Sequence, residues 1–132
     1  MSGGPARRGG VLLRIEGSLR FLPASAAVRV VAAPRPSPVP GAPPELLGIA
    51  LYESVVLPVI AVGAVRGDMA VCQHAGDLVG LVGGEVVQTG MFDVVADRPD
   101  LVEYEGERAA PLDVSAIYAR VQTAARPARW GS

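Results

Sequence analysis

Cys72 and His74 stand two residues apart, a spacing that would put both side chains on one face of a strand. A zinc ion needs three or four ligands, and the chain holds one cysteine and one histidine in all. As a thiolate–imidazole nucleophile, the pair lacks an orienting third group and an oxyanion site. The two are read as a packing cysteine beside a partly exposed histidine. A second candidate set is acidic: Asp97, Asp100, Glu103, Glu105 and Glu107. Alternation around Tyr104 sets Glu103 and Glu105 on one strand face about 7 Å apart, within the range of paired glycosidase carboxylates. The same alternation opposite Val102 and Tyr104 is what a half-solvated strand displays. A solvated face, or a surface for partner arginines, is therefore preferred to catalysis.

Gly76, Gly80, Gly83 and Gly84 do not make the dinucleotide-binding pattern, and no Gly-Lys-Ser/Thr follows them. They suit turns and close strand packing. All 12 basic residues are arginine, which excludes a P-loop lysine, a Schiff-base lysine and a lysine general base. A net charge of −1 supplies no drive toward nucleic acid. Arg126, Arg129 and Trp130 could contact phosphate or bases, but three tail residues make a poor nucleic-acid site. No catalytic residue, cofactor or metal ligand is assigned.

The elements that would position these residues are short. A chain of 132 residues fits one domain, and 16 Gly and 12 Pro among Val- and Ala-rich segments favour strands and turns. Residues 1–10 are expected to be a flexible lead-in. Val11–Glu16 and Ser18–Leu22 bracket Gly17 as a hairpin. Pro23 suits the first position of one helical turn over Ala24–Ala27, and Val28–Val31 returns to strand. Residues 33–44 hold six prolines and form a crossover. Gly48–Leu51 and Val55–Val62 are the next strands, with Pro58 placed at an edge or bulge because it lacks an amide donor. Val65–Asp68 reads as a link into a second lobe. Met69–His74 and Leu78–Val82 flank a three-residue loop, Ala75-Gly76-Asp77. Glu85–Gln88 is a further strand, and Leu101–Glu105 and Arg108–Leu112 flank a Gly106-Glu107 turn. Asp113 caps a closing helix whose Val114, Ile117, Tyr118 and Val121 fall at i, i+3, i+4 and i+7. Nine or ten strands are expected in one domain over 11–125, with a tail over 126–132.

Arg14 interrupts any signal-peptide core. The uncharged run Val55–Val65 falls short of the roughly 20 residues that span a bilayer. A soluble cytoplasmic protein without membrane insertion is expected.

The segment Val39-Pro-Gly-Ala-Pro-Pro-Glu-Leu-Leu-Gly-Ile49, followed by Val56-Leu-Pro-Val-Ile60, resembles the CheW-like domain of bacterial chemotaxis adaptors. Phe21-Leu-Pro23 leading into Val28–Val31, Val79–Val82 with Glu85-Val86, and Ala110–Ile117 support the resemblance. It implies two small SH3-like five-stranded β-barrel lobes sharing a hydrophobic seam, with a short helical turn and a C-terminal helix. It also implies a non-enzymatic adaptor that docks on the regulatory domain of a CheA-type histidine kinase and holds a chemoreceptor's coiled-coil tip between the lobes. Carried onto this chain, the partner surfaces involve Val28, Val30, Gly48, Tyr52, Glu53 and Ser54, with Val82, Glu85 and Val86 on the second lobe. Members usually carry Asn-Leu-Arg-Gly where Leu51-Tyr52-Glu53-Ser54 stands here, so Glu53 reverses a charge and Ser54 replaces a glycine whose backbone shape would be lost. The family aspartate after the next strand is Ala61, and the acid before the second-lobe glutamate is Gly84. A divergent adaptor with redirected specificity follows. The alternatives are a module that has lost its kinase or receptor and self-associates or regulates an assembly, and a carboxylate-dependent hydrolase.

Overall fold

The computed structural model describes residues 6–64 and 67–125. Val65-Arg66, the side chain of Val28, and the tail with Arg126, Arg129 and Trp130 lie outside the described residues.

Four hairpins use one device, a two-residue turn with both φ angles positive: Glu16-Gly17 (51°, 85°), Glu53-Ser54 (46°, 69°), Ala75-Gly76 (51°, 88°) and Glu105-Gly106 (50°, 81°). That geometry matches the right-handed twist of the strands it joins. Two turns shift against expectation. Asp77 is already in the ladder opposite His74, and Glu107 is already paired with Tyr104. In each case glycine takes the second turn position, where the left-handed conformation carries no Cβ penalty.

The described residues form ten strands: β1 (Arg7–Ile15), β2 (Ser18–Pro23), β3 (Ala27–Ala32), β4 (Leu46–Tyr52), β5 (Val55–Ala61), β6 (Asp68–His74), β7 (Asp77–Val82), β8 (Glu85–Val95), β9 (Arg98–Tyr104) and β10 (Glu107–Pro111). One helix, α1 (Val114–Ala125), closes the described chain. The first strand starts at Arg7 rather than Val11, because residues 7–10 pair with β8 and Arg7 binds Asp93 at 3.1 Å. The eighth strand continues past Gln88 to Val95, where it finds β9. Ala24–Ala26 form a plain turn, with the Ala26 N–H on the Pro23 carbonyl at 2.9 Å, because Pro23 belongs to β2.

These strands make two five-stranded lobes. One is a closed barrel in the order β1-β2-β10-β9-β8, and the other a sheet in the order β3-β6-β7-β5-β4. The chain enters the second lobe after β2 and leaves it at Gly83-Gly84, so the lobes are intertwined. The 65–68 link is internal to the second lobe, since β6 pairs with β3 and β7 there. Glu85 and Val86 correspondingly open β8 in the barrel, beside Arg14 and Leu13 of β1.

The two lobes share a topology. Each joins two hairpins through a parallel pair, β2 with β10 and β5 with β7, and adds a fifth strand antiparallel to one outer strand. In the barrel the fifth strand, β8, also closes on β1. In the second lobe the ends β3 and β4 stay unpaired with each other.

Three apolar clusters hold this arrangement. Leu12, Leu19, Phe21, Phe92, Val102 and Ala109 fill the barrel, with Phe92 edge-on to Phe21 at 6.1 Å and to Tyr104 at 5.9 Å. Leu57, Val59, Met69, Val71 and Val82 fill the second lobe. The seam between lobes joins Val11, Leu13 and Leu22 of the barrel to Ile60, Cys72, Val79 and Leu81. Val114, Ile117 and Val121 of α1 cover that seam. The Asp113 carboxylate accepts the Ala116 N–H at 3.0 Å and caps the helix.

Candidate docking surface

The β4–β5 hairpin lies at the edge of the second lobe. Its inward face, Leu57 with Ala50 and Tyr52, belongs to the lobe core. Its outward face carries the cross-strand pairs Leu51–Val56 and Ile49–Pro58. Leu51 is 69% and Val56 62% exposed, and Ile49 is exposed beside them. Nearly continuous apolar strands normally mean cover on both faces; here one face is bare. Adjacent exposed aliphatics of this kind mark interaction sites.

The free edge of β4 is partly covered. Ser37, in the proline-rich crossover, exchanges two backbone hydrogen bonds with Ile49 (2.8 and 2.9 Å). Gly48 admits this contact, since it holds φ at 151° and a Cβ there would run into the Ser37 carbonyl. Gly48 is thus buried beneath the crossover and shapes the edge. The crossover is ordered, and an otherwise open strand edge is blunted.

At the hairpin tip, Glu53 accepts a hydrogen bond from the Arg29 guanidinium at 3.0 Å. Tyr52 beside Arg29, and then Glu53, hold that guanidinium above its ordinary pKa. Ser54 keeps φ at 69°, so the turn has the backbone shape that glycine would adopt. The expectation that the shape is lost with the glycine is corrected: the sheet twist and the Tyr52–Val55 pairing impose it on serine, at a steric cost of about 1–2 kcal/mol.

The remaining sequence candidates scatter. Val30 is half-buried on β3 and lines a groove of about 530 Å³ between β3 and the barrel, with Gly9, Gly10, Thr89 and Met91 on the opposite wall. Val28 is a β3 residue. Val82 is buried in the second-lobe core, Val86 packs on the seam, and Glu85 is exposed. Arg29, Leu51, Val56 and Met91 were not singled out by their sequence. The available signal was β4 and β5 being apolar on both faces at a place where only one can be covered.

Cys72 is fully buried, its thiol 3.6 Å from the Ala70 carbonyl, and burial pushes its pKa up to about 12. His74 is half-buried with its ring edge-on to Tyr118 at 5.4 Å. The pair is a packing cysteine beside a partly exposed histidine. Among the described residues no three His, Cys, Asp or Glu side chains gather as a metal site. Glu103 is exposed while Val102 and Tyr104 turn inward, but Glu105 lies in the turn at φ 50°, so the two acids do not share a strand face. Asp93 lies directly opposite Glu103, with Arg7 beyond one and Arg108 beyond the other, so two adjacent acids are flanked by an arginine on each side across the barrel.

No family model matches the sequence, and no curated protein matches it. Among solved structures, the crystal structure of the scaffolding protein TtCheW from Thermoanaerobacter tengcongensis is similar in fold. Its TM-score is 0.67 at 14% identity, over 83% of this chain and 90% of that one. The mainly β, two-lobed architecture with one C-terminal helix is therefore CheW-like in fold. Among the described residues no helix is long and apolar enough to cross a membrane.

Proposed function

We propose that this chain is a non-enzymatic adaptor of a chemotaxis-like two-component pathway, coupling a chemoreceptor to a CheA-type histidine kinase. The observation that carries the reading is the bare aliphatic face of Ile49, Leu51 and Val56 on a fold shared with a scaffolding protein. A face of that kind docks a protein partner by burying apolar area, with the charged tip at its rim setting specificity. The kinase regulatory domain meets this hairpin at Tyr52, Glu53 and Ser54, with Gly48 holding its shape. The groove lined by Val30 is large enough for side chains of a receptor's coiled-coil tip, and Glu85 with the half-buried Val86 extends the surface along β8. The exposed carboxylates of β9 act as solvated rim.

Size-exclusion chromatography with a CheA-type regulatory domain, and with a receptor coiled-coil fragment, tests the reading. A complex at micromolar concentrations is expected. No complex with either partner, together with a mass that rises with concentration in light scattering, would replace it by self-association.

A further inference from the structure

The first half of β5 runs free of β7. Parallel pairing begins only at Val59 and Gly80, leaving Val55–Pro58 and Asp77–Val79 without each other. Pro58 removes one donor from this stretch. Ile49 gives its backbone N–H and C=O to Ser37, away from β5. In an antiparallel ladder its partner Pro58 then also faces away from β4, toward β7. Proline has no N–H to offer there. The strands splay into a notch of about 410 Å³ walled by Val55, Val56, Pro58, Asp77, Leu78 and Tyr118. Asp77 is exposed at its rim, and among the described residues it has no ion-pair partner.

The barrel fills a comparable hairpin position, on the face that Arg14 and Glu107 share with the core residues Leu12 and Ala109. Glu107 follows the Glu105-Gly106 turn as Asp77 follows Ala75-Gly76, and β10 runs parallel to β2 as β7 does to β5. Arg14, two residues before the Glu16-Gly17 turn, grips Glu107 through two hydrogen bonds of 2.9 and 3.1 Å. It also donates to the Gly17 carbonyl at 3.3 Å. In the second lobe the residue two before the Glu53-Ser54 turn is Leu51. The carboxylate is kept and its guanidinium is missing, with an exposed aliphatic in its stead.

We propose that the notch receives an arginine side chain from a partner protein, lying over Val56 and Pro58 with its guanidinium on Asp77, much as Arg14 meets Glu107 within the barrel. Charge complementarity selects the cation, and the planar fork suits a carboxylate as it does at Glu107. Leu51 and Val56 take the aliphatic residues that flank the arginine. The inference deepens the adaptor reading by giving the partner's chemistry, but its test contains neither kinase nor receptor, so either can fail alone.

The probe is the peptide Ac-Leu-Arg-Val-NH2, titrated into the ¹⁵N-labelled chain, with the citrulline peptide Ac-Leu-Cit-Val-NH2 as neutral isostere. Amide shifts are expected at Val55, Val56, Asp77 and Leu78, at least fivefold weaker in affinity for the citrulline peptide or for Asp77→Asn. Leu51→Arg, which supplies the cation in cis, is expected to keep the spectrum of a folded chain and to abolish the peptide shifts. Absent shifts at these residues, equal binding of both peptides, or indifference to both substitutions would overturn the proposal. So would a notch whose shifts follow protein concentration rather than peptide, since a second copy would then occupy it.

Discussion

The Arg29 guanidinium of β3 meets the Glu53 carboxylate of the β4–β5 turn at 3.0 Å, across the gap that backbone pairing leaves open in the second lobe. In the barrel the same gap is closed by the β1–β8 ladder. A side-chain bridge thus stands where the other lobe has hydrogen-bonded strands. It also occupies the turn where the CheW-like resemblance would place an arginine. The reversal at Glu53 is accordingly matched by a cation within the same chain.

Glu53→Arg is expected to open this gap by setting two guanidiniums against each other. Faster amide hydrogen exchange along β3 and β4 would report it, with β1 and β8 unchanged. Combining it with Arg29→Glu restores the pairing and the protection. Because both groups are largely exposed, the coupling fades in high salt. Unchanged exchange in Glu53→Arg would show that the bridge does not hold the edges.

Ser54 sits at φ 69° without being glycine. Ser54→Gly is expected to stabilise the fold by about 0.5–1 kcal/mol, the relief of left-handed strain less the greater freedom of glycine in the unfolded chain. Ser54→Val should destabilise, because a β-branched residue tolerates that conformation least. Urea denaturation of the three proteins decides it.

Leu51→Ser with Val56→Ser tests the bare face. Both side chains point to solvent, so the melting temperature is expected to stay within a few degrees. Affinity for the kinase regulatory domain is expected to fall at least tenfold by calorimetry, as for the loss of apolar anchors at an interface centre. Undiminished affinity would move the docking site elsewhere.

Acid should weaken the barrel through Glu107 and Asp100. Hydrogen bonding from Arg14 holds the Glu107 carboxyl below its ordinary pKa, and Arg98 does the same for Asp100. The unfolded chain then takes up protons first as pH falls, so stability is present above the usual carboxylate values of about 4 and is lost below them. Glu107→Gln is expected to flatten the fall in melting temperature between about pH 5 and pH 3.

Cys72, with its pKa pushed up to about 12 by burial, should be inert to thiol reagents in the native protein and react once the chain unfolds. The sign runs opposite to the carboxylates. Above the ordinary thiol value of about 8.5 only the unfolded chain loses its proton, so stability declines as pH rises from there. Cys72→Ser buries a hydroxyl and is expected to cost about 1–3 kcal/mol.

Much of this was local and therefore legible in the residues alone. Three of the four positive-φ turns advertise themselves through glycine, and alternating apolar residues between them mark strands; both work over a few neighbouring positions. Asp113 with Val114, Ile117, Tyr118 and Val121 specifies a capped, one-sided helix for the same reason. Cys72 could be set aside as chemistry because its companions were missing from the sequence, and Glu103 and Glu105 because their alternation with Val102 and Tyr104 already described a solvated strand. The CheW-like resemblance rested chiefly on Val39–Ile49 with Val56–Ile60, and it anticipated two five-stranded lobes on a shared seam.

Tertiary structure alone decided which strand lies beside which. The pairing of β1 with β8, the return of β8–β10 to the first lobe, and the meeting of Arg29 with Glu53 join residues far apart in the chain. Strand patterns say that Leu51 and Val56 are apolar and share a face, but nothing in them says whether another element covers it. The notch at Asp77 depends on where the parallel pairing of β5 with β7 begins, which only the assembled sheet supplies. Cover and contact are properties of non-local partners, and those partners are chosen when the chain folds.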